Sequence, residues 1–389
     1  MKILFVINNL KIGGTRSSLL NLLEYLGNYD VDVELLVFSP YGEYIQDVPS
    51  NVKVIAGNTS LQSLFIDLEY LKNNKKFIHI MTRGCISIAK KIFGEKRVMN
   101  YLYADFLKKN INEKSYDAVV GFQEGQCNDF VAKCNAKKRI FWIHNNYENL
   151  PERSKGFKES YEVADKIIFV ANASMETFKL SLPQYADKMC LIKNILLQNK
   201  IKDSSLEEIA DNEIFSSSSL NIISVGRIAP QKAFDRVIEV VKKLLEKNKE
   251  FCWIIVGEGP QREELKRKVK ANGLSDCIKF IGARKNPFPY IKQSDLFVLT
   301  SIYESQPMVI MEALTIGVPV ISTNFPSSKE LLADESYSLI VDNNVEGLYR
   351  ALEEILRNQT RIKVMREETK NFQYNNDEII LKLFEVINS

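Results

Sequence analysis

Asn221-Ile222-Ile223-Ser224-Val225-Gly226-Arg227-Ile228-Ala229-Pro230-Gln231-Lys232 reads as a short apolar strand running into a loop that holds one glycine and two cations. The residues that follow, 234–245, place Phe234, Val237, Ile238, Val241, Leu244 and Leu245 on one helix face. Strand, loop and helix in that order form the repeating unit of a parallel sheet. The unit recurs on both sides. Downstream, residues 252–256, 278–281, 296–299 and 318–321 are further apolar runs of strand length. Upstream lie 3–7, 33–38, 117–121, 139–143 and 166–170, with a helical pattern over 17–26. These runs are continuous rather than alternating, as expected of strands covered by helices on both faces.

The chain has 389 residues, beyond the size at which one hydrophobic core stops growing, so two domains are expected. Between about 196 and 220 the composition turns polar and ends in Ser216-Ser217-Ser218-Ser219, which marks the junction. The division predicted is a first Rossmann-like domain over 1–198 and a second over 199–372. A C-terminal helix over about 373–389 packs back on the first. A hydrophobic fraction of 45% and a charged fraction of 26% describe an ordinary globular protein. With 52 basic and 49 acidic residues, nothing demands a nucleic-acid partner. Residues 1–200 hold 27 basic and 21 acidic side chains, against 25 and 28 afterwards. A basic first half suits an anionic surface, and uneven scatter over solvated faces accounts for it equally.

Six cysteines lack the C-x-x-C spacing of zinc or redox sites, and only two histidines are present. Reduced thiols in a cytoplasmic compartment are expected, with no metal centre. No apolar run is long enough for a transmembrane helix. The first residues read as a buried strand rather than a signal peptide.

Three loops follow strands directly, where open α/β sheets bind ligands. Asn8-Asn9-Leu10-Lys11-Ile12-Gly13-Gly14 offers a close backbone approach at a helix N-terminus, or a plain turn. Arg227 and Lys232, five apart on a tethered loop, suit a diphosphate, or are two solvated charges. In Tyr303-Glu304-Ser305-Gln306-Pro307-Met308-Val309-Ile310-Met311-Glu312, Pro307 fits a first helical turn. The amides near Gln306 to Val309 would face the strand ends. Glu304 is a sugar-hydroxyl acceptor or a capping residue; Glu312 is a ligand contact or an exposed helix charge.

Taken together, Gly13-Gly14, Gly226-Arg227 through Lys232, the Glu-x7-Glu of Glu304 and Glu312, and Gly317-Val318-Pro319-Val320 resemble the family-4 retaining glycosyltransferases. Ile192-Lys193-Asn194 is similar to the interdomain segment of that family. The resemblance implies the α/β GT-B fold, two Rossmann-like domains facing across a cleft, the first for the acceptor and the second for a nucleotide sugar. It implies that Arg227 and Lys232 hold the donor diphosphate, Glu304 the sugar hydroxyls and Glu312 the ribose. Gly13 and Gly14 would give room near the phosphate. Ser305, Gln306, Pro307, Met308 and Val309 would line the donor site, and the base would be read near Ala283 and Arg284. His144, in Trp142-Ile143-His144-Asn145-Asn146, resembles the family's histidine near the donor sugar; a satisfied core histidine is the other reading. The catalytic set implied is Arg227, Lys232, His144 and Glu304. The donor is a UDP-sugar by analogy, with Gal, Glc or an N-acetylhexosamine transferred to a glycan or lipid-linked glycan. No cofactor or metal is implied. Asp30-Val31-Asp32 imitates a metal-binding Asp-x-Asp but borders a strand.

Thr15-Arg16 replaces the Glu common after the glycine pair, and Ser305-Gln306-Pro307 replaces a common Gly-Phe-Gly. Both departures put the sugar in question rather than the diphosphate. Lys90-Lys91, Lys96-Arg97 and Lys108-Lys109 punctuate Ile88, Ile92, Phe93, Tyr101, Tyr103, Phe106 and Leu107. This pattern fits helices lying on an anionic membrane face, or helices with their apolar side in the core. A nucleotide-sugar hydrolase or epimerase, and a non-catalytic glycan-binding subunit, are the rivals. Gly257-Glu258-Gly259 lacks the third glycine of a dinucleotide fingerprint.

Overall fold

A computed structural model describes residues 1–111, 114–150, 152–209, 215, 220–247, 250–332 and 334–389. The chain divides into two units, Met1–Ile195 with Asn376–Ser389, and Leu196–Asn375. The boundary lies three residues before the 198/199 junction read from sequence.

Unit 1 holds strands β1 (Lys2–Ile7), β2 (Asp32–Val37), β3 (Lys53–Ala56), β4 (Ala118–Gly121), β5 (Lys138–Ile143), β6 (Lys166–Phe169) and β7 (Met189–Leu191). They form one parallel sheet in the order β3-β2-β1-β4-β5-β6-β7. Unit 2 holds β8 (Leu220–Val225), β9 (Phe251–Val256), β10 (Ile278–Gly282), β11 (Leu296–Leu299), β12 (Val320–Thr323) and β13 (Ser338–Val341). Its order is β10-β9-β8-β11-β12-β13, again all parallel. In each sheet the strand order reverses once, between β1 and β4 and between β8 and β11. At such a switch point neighbouring loops leave toward opposite sides and open a crevice above the strand ends.

The continuous apolar runs are buried on both faces: Ile3 to Ile7 and Trp253 to Ile255 have no accessible surface. One polar chain crosses the second sheet. The Trp253 indole donates to Ser224 Oγ at 3.0 Å, and Ser224 Oγ donates to the Val298 carbonyl at 2.6 Å. A buried N–H on β9 is thus satisfied through β8 to β11, which locks the three strands below the switch point.

Helix α1 (Gly14–Leu26) follows β1. Helices α2 (Phe77–Phe93) and α3 (Glu95–Asn110) form a hairpin beside the first sheet. In unit 2, α4 (Asp235–Leu245) and α5 (Met308–Ile316) follow β8 and β11. Gly317, with φ 91°, ends α5; its N–H donates to Leu314 and that of Val318 to Ala313 at 2.9 Å. The C-terminal helix Asn376–Asn388 belongs to unit 1, where Phe384 meets Tyr29 edge-on and Asp377 accepts from Tyr25 Oη at 2.6 Å.

The structure decides several of these readings. The stretch after 196, read as the domain junction, carries structure of its own. A helix spans Gln198–Ser204, and Leu196, Ile201 and Ile209 are buried in the unit 2 core. Ser216 to Ser219 lie outside the described residues. Tyr103, Phe106 and Leu107 of α3 are core, not interfacial, because they pack with Phe38 and Phe130. The six cysteines are free thiols; Cys127, Cys134 and Cys252 are buried and Cys85 is exposed. Among the described residues no helix is long and apolar enough to cross a membrane.

Candidate functional site

The strongest cluster sits at the switch point of unit 2, where the loops after β8 and β11 are sewn together. The Ile302 N–H donates to the Gln231 carbonyl at 2.8 Å, and Gln231 Nε2 donates to the Tyr303 carbonyl at 2.9 Å. Thr300 Oγ1 donates to the Lys232 carbonyl at 2.6 Å. Arg236 donates to the Thr300 carbonyl at 3.2 Å and to Asn343 Oδ1 at 2.6 Å, fastening the loop from below.

These backbone ties bring together two side chains 72 residues apart. Lys232 Nζ donates to Glu304 Oε1 at 2.5 Å, with side chains only 16% and 10% exposed. The same oxygen accepts from Ser301 Oγ at 2.7 Å, and Oε2 accepts from Gln231 Nε2 at 3.4 Å. Glu304 therefore caps no helix. The N-cap of α5 is Pro307, one position before the first-turn place expected for it, and no side chain caps this helix.

Arg227 stands apart. It is exposed, and no hydrogen bond or ion pair engages it among the described residues. Gly226 leaves room for the lysine side chain: a Cβ there would lie 3.2 Å from Lys232 Cε and 3.6 Å from its Nζ. The ammonium thus rests on the backbone immediately before Arg227.

Glu312 is the reverse of an exposed helix charge. It is 7% exposed on α5, no described group hydrogen-bonds to it, and burial pushes its carboxyl up to about 7. Burying an unpartnered carboxyl costs stability, so such a group commonly awaits a ligand.

Sequence reading saw Gly257 and Gly259 only as a failed fingerprint. A Cβ on Gly257 would fall 1.9 Å from the Gly226 carbonyl oxygen, and one on Gly259 2.2 Å from that of Ile228. The Ile228 N–H donates to the Glu258 carbonyl at 2.9 Å. These glycines let a third loop press flat against the Arg227 loop. Gln231, Ser301 and Thr300 were missed as well, since nothing local marks them. Ala233, left-handed at φ 49°, turns the chain out of the Pro230–Lys232 turn.

Around this cluster, Ser305 and Gln306 are buried, and Gln306 Nε2 donates to Tyr374 Oη at 3.0 Å. Pro307 and Met308 are also buried, with Val309 half-buried. After β10, Ala283 is exposed, and Arg284 lies 5.5 Å over the Tyr290 ring, donating to its hydroxyl at 3.0 Å.

Unit 1 holds the remaining predicted residues, the glycine pair after β1 at its switch point and His144 after β5. Gly13, extended at φ 164°, is the N-cap of α1, and a Cβ on Gly13 or Gly14 would meet nothing within 4 Å. The protein's own packing does not require either glycine. His144 follows β5, stacked with Trp142 at 6.1 Å and tilted against Phe122 at 4.5 Å. Its backbone N–H donates to Glu124 Oε2 at 3.1 Å, while ring Nε2 is buried without a partner among the described residues. It is not a satisfied core histidine. Burial, aided by the Arg16 guanidinium, holds the imidazole down to about 3, so it is neutral near pH 7. Arg16, in the first turn of α1, donates to Asn9 Oδ1 at 3.3 Å. Asp32 of the Asp-x-Asp imitation pairs with Lys2 at 2.9 Å.

Residues 207–375 match the sequence profile described as glycosyl transferases group 1. The match lies wholly within the second unit. An uncharacterised glycosyltransferase of Methanocaldococcus jannaschii is 29% identical over 211 residues, 52% of each chain, so the likeness spans about half the relative's length. The Escherichia coli UDP-Gal:α-D-GlcNAc-diphosphoundecaprenol α-1,3-galactosyltransferase is 24% identical over 96% of this chain and 92% of its own. Among solved structures, Anabaena HepE in complex with UDP-glucose superposes with a TM-score of 0.74 at 16% identity, over 100% of this chain and 99% of the other. This likeness is one of fold: the chain is a two-domain α/β protein of GT-B architecture.

Proposed function

We propose that the chain is a family-4 retaining glycosyltransferase. It moves a hexose or N-acetylhexosamine from a UDP-sugar to a glycan or lipid-linked glycan at the cytoplasmic face of a membrane. The observation that carries this reading is the unit 2 switch point. An unengaged guanidinium and an ammonium tethered by a carboxylate stand on the loops after β8 and β11, and a buried unpartnered carboxyl stands on the helix that follows β11. A nucleoside diphosphate sugar offers what each lacks: a diphosphate for Arg227 and Lys232, ribose hydroxyls for Glu312, sugar hydroxyls for Glu304. The relatives' names support a sugar nucleotide and a lipid-diphosphate acceptor.

When the sugar departs, negative charge grows on the diphosphate. Arg227, Lys232 and the amides at the start of α5 stabilise it without a metal ion. Losing one such donor typically costs about 10²–10³-fold in rate. With no protein carboxylate assigned as nucleophile, the acceptor attacks on the face the diphosphate leaves, and a phosphate oxygen takes its proton. In unit 1, neutral His144 and the open backbone at Gly13 and Gly14 are the groups assigned to the acceptor.

Thermal-shift titration with UDP-, GDP- and dTDP-sugars tests the donor, because a ligand stabilises by RT ln(1 + [L]/Kd). A UDP-sugar is expected to raise the melting temperature of the wild type, and far less that of Arg227→Ala. Equal affinity in both would overturn the site. An inverted anomeric product by NMR would overturn retention, and free sugar released at the full turnover rate would favour the hydrolase reading.

A further inference from the structure

Helix α2 carries a face that the fold leaves bare. Phe77, Ile78, Met81, Ile88 and Ile92 are each 60–71% exposed, and Cys85 between them is exposed too. At 100° per residue these six side chains fall within an arc of roughly 100°. Ile86, the one buried residue of the helix, points to the opposite side, where α2 packs on the helix Thr59–Phe65 and on α3. The exposed arc is thus a continuous apolar stripe along 17 residues, about 25 Å of helix. A stripe of this size on a soluble surface marks a partner.

Its charge names the partner. From Tyr70 to Gly94 there are six basic residues, Lys72, Lys75, Lys76, Arg83, Lys90 and Lys91, and no acidic one. Arg83 is spent on the Ile66 carbonyl and Lys90 on Glu95. Lys72, Lys75, Lys76 and Lys91 are exposed and unpaired among the described residues. They stand at both ends of the stripe, where ammonium groups reach a phosphate layer while the apolar arc enters the acyl boundary. A second copy of this chain would bring the same positive charges face to face.

We propose that α2 is an in-plane anchor for an anionic lipid bilayer, with Phe77, Ile78, Met81, Ile88 and Ile92 entering the lipid and Lys75, Lys76 and Lys91 on its headgroups. The anchor is independent of the donor site in unit 2. It refines the sequence-level patch, since α3 contributes its apolar side to the core instead.

Flotation with vesicles of phosphatidylcholine and phosphatidylglycerol (7:3), and with phosphatidylcholine alone, tests it. The wild type is expected to float with the anionic vesicles, weakly with the neutral ones, and less at 0.5 M salt. Each charge neutralised among Lys75→Gln, Lys76→Gln and Lys91→Gln should weaken binding about fivefold, the effect of one lysine at an anionic surface. Ile88→Asp with Ile92→Asp should abolish flotation while leaving the melting temperature and UDP-sugar binding unchanged. A wild type that stays unbound on anionic vesicles overturns the proposal. So does a concentration-dependent dimer that Ile88→Asp with Ile92→Asp disperses, which would assign the face to a second copy.

Discussion

Glu312 shows how one buried carboxyl ties stability to pH. Its ordinary value is 4.5, and burial raises it to about 7 in the folded chain. Below pH 4.5 both states are protonated. Between 4.5 and 7 the unfolded chain ionises while the folded one resists, so stability is lost as pH rises through this window. The loss is at most about 3 kcal/mol. Urea unfolding at pH 5 and pH 8 should show it, and Glu312→Gln should flatten it. UDP binding should run the other way, tightening above pH 7 as the carboxylate becomes available to ribose. His144 carries the opposite sign: depressed to about 3, it withdraws stability as pH falls from 6.5. For Lys232 and Glu304, a double-mutant cycle with Lys232→Met and Glu304→Gln should return a coupling of about 1–3 kcal/mol, because both groups are largely withdrawn from water. A coupling near zero would mean the pair is solvent-screened.

At the scale of elements, glycines with opposite surroundings separate architecture from function. Gly257 lies at φ 156°, and any Cβ there would strike the Gly226 carbonyl. Gly257→Ala should cost about 2 kcal/mol or more and loosen the Arg227 loop, lowering nucleotide affinity with it. Gly13, extended and facing open space, should accept alanine within about 0.5 kcal/mol of stability. If its role is to admit substrate, turnover falls in Gly13→Ala while the melting temperature holds; unchanged turnover would reduce this loop to a plain turn. The hairpin of α2 and α3 makes a related point. Both helices read from sequence as basic and amphipathic, yet one buries Met99, Tyr103, Phe106 and Leu107 and the other only Ile86.

On the scale of the whole molecule, the chain builds one sheet, crosses to build the second, and returns. Ile380, Leu383, Val386 and Ile387 of the C-terminal helix are buried in unit 1. Deleting 376–389 should remove several kcal/mol from that unit, at roughly 1.5–3 kcal/mol per large apolar side chain. Nucleotide affinity, proposed for unit 2, should survive in calorimetry. A truncated chain that loses UDP binding at low temperature would show that the return helix supports the donor site as well.

Sequence alone determined the two parallel sheets, because continuous apolar runs can be buried only by helices on both faces. It also singled out Arg227, Lys232, Glu304 and Glu312 as candidates, since each stands at a strand end or in the helix after one, the place where open α/β sheets bind ligands. Tertiary structure decided which charges are free. Lys232 and Glu304 neutralise each other across 72 residues, Arg227 does not, and Glu312 is buried alone. It also decided which of two similar helices faces water. Periodicity records that a helix has an apolar side, but whether that side meets a core depends on neighbours distant in the chain. Desolvation and pairing arise from those same distant contacts, and no local pattern carries them.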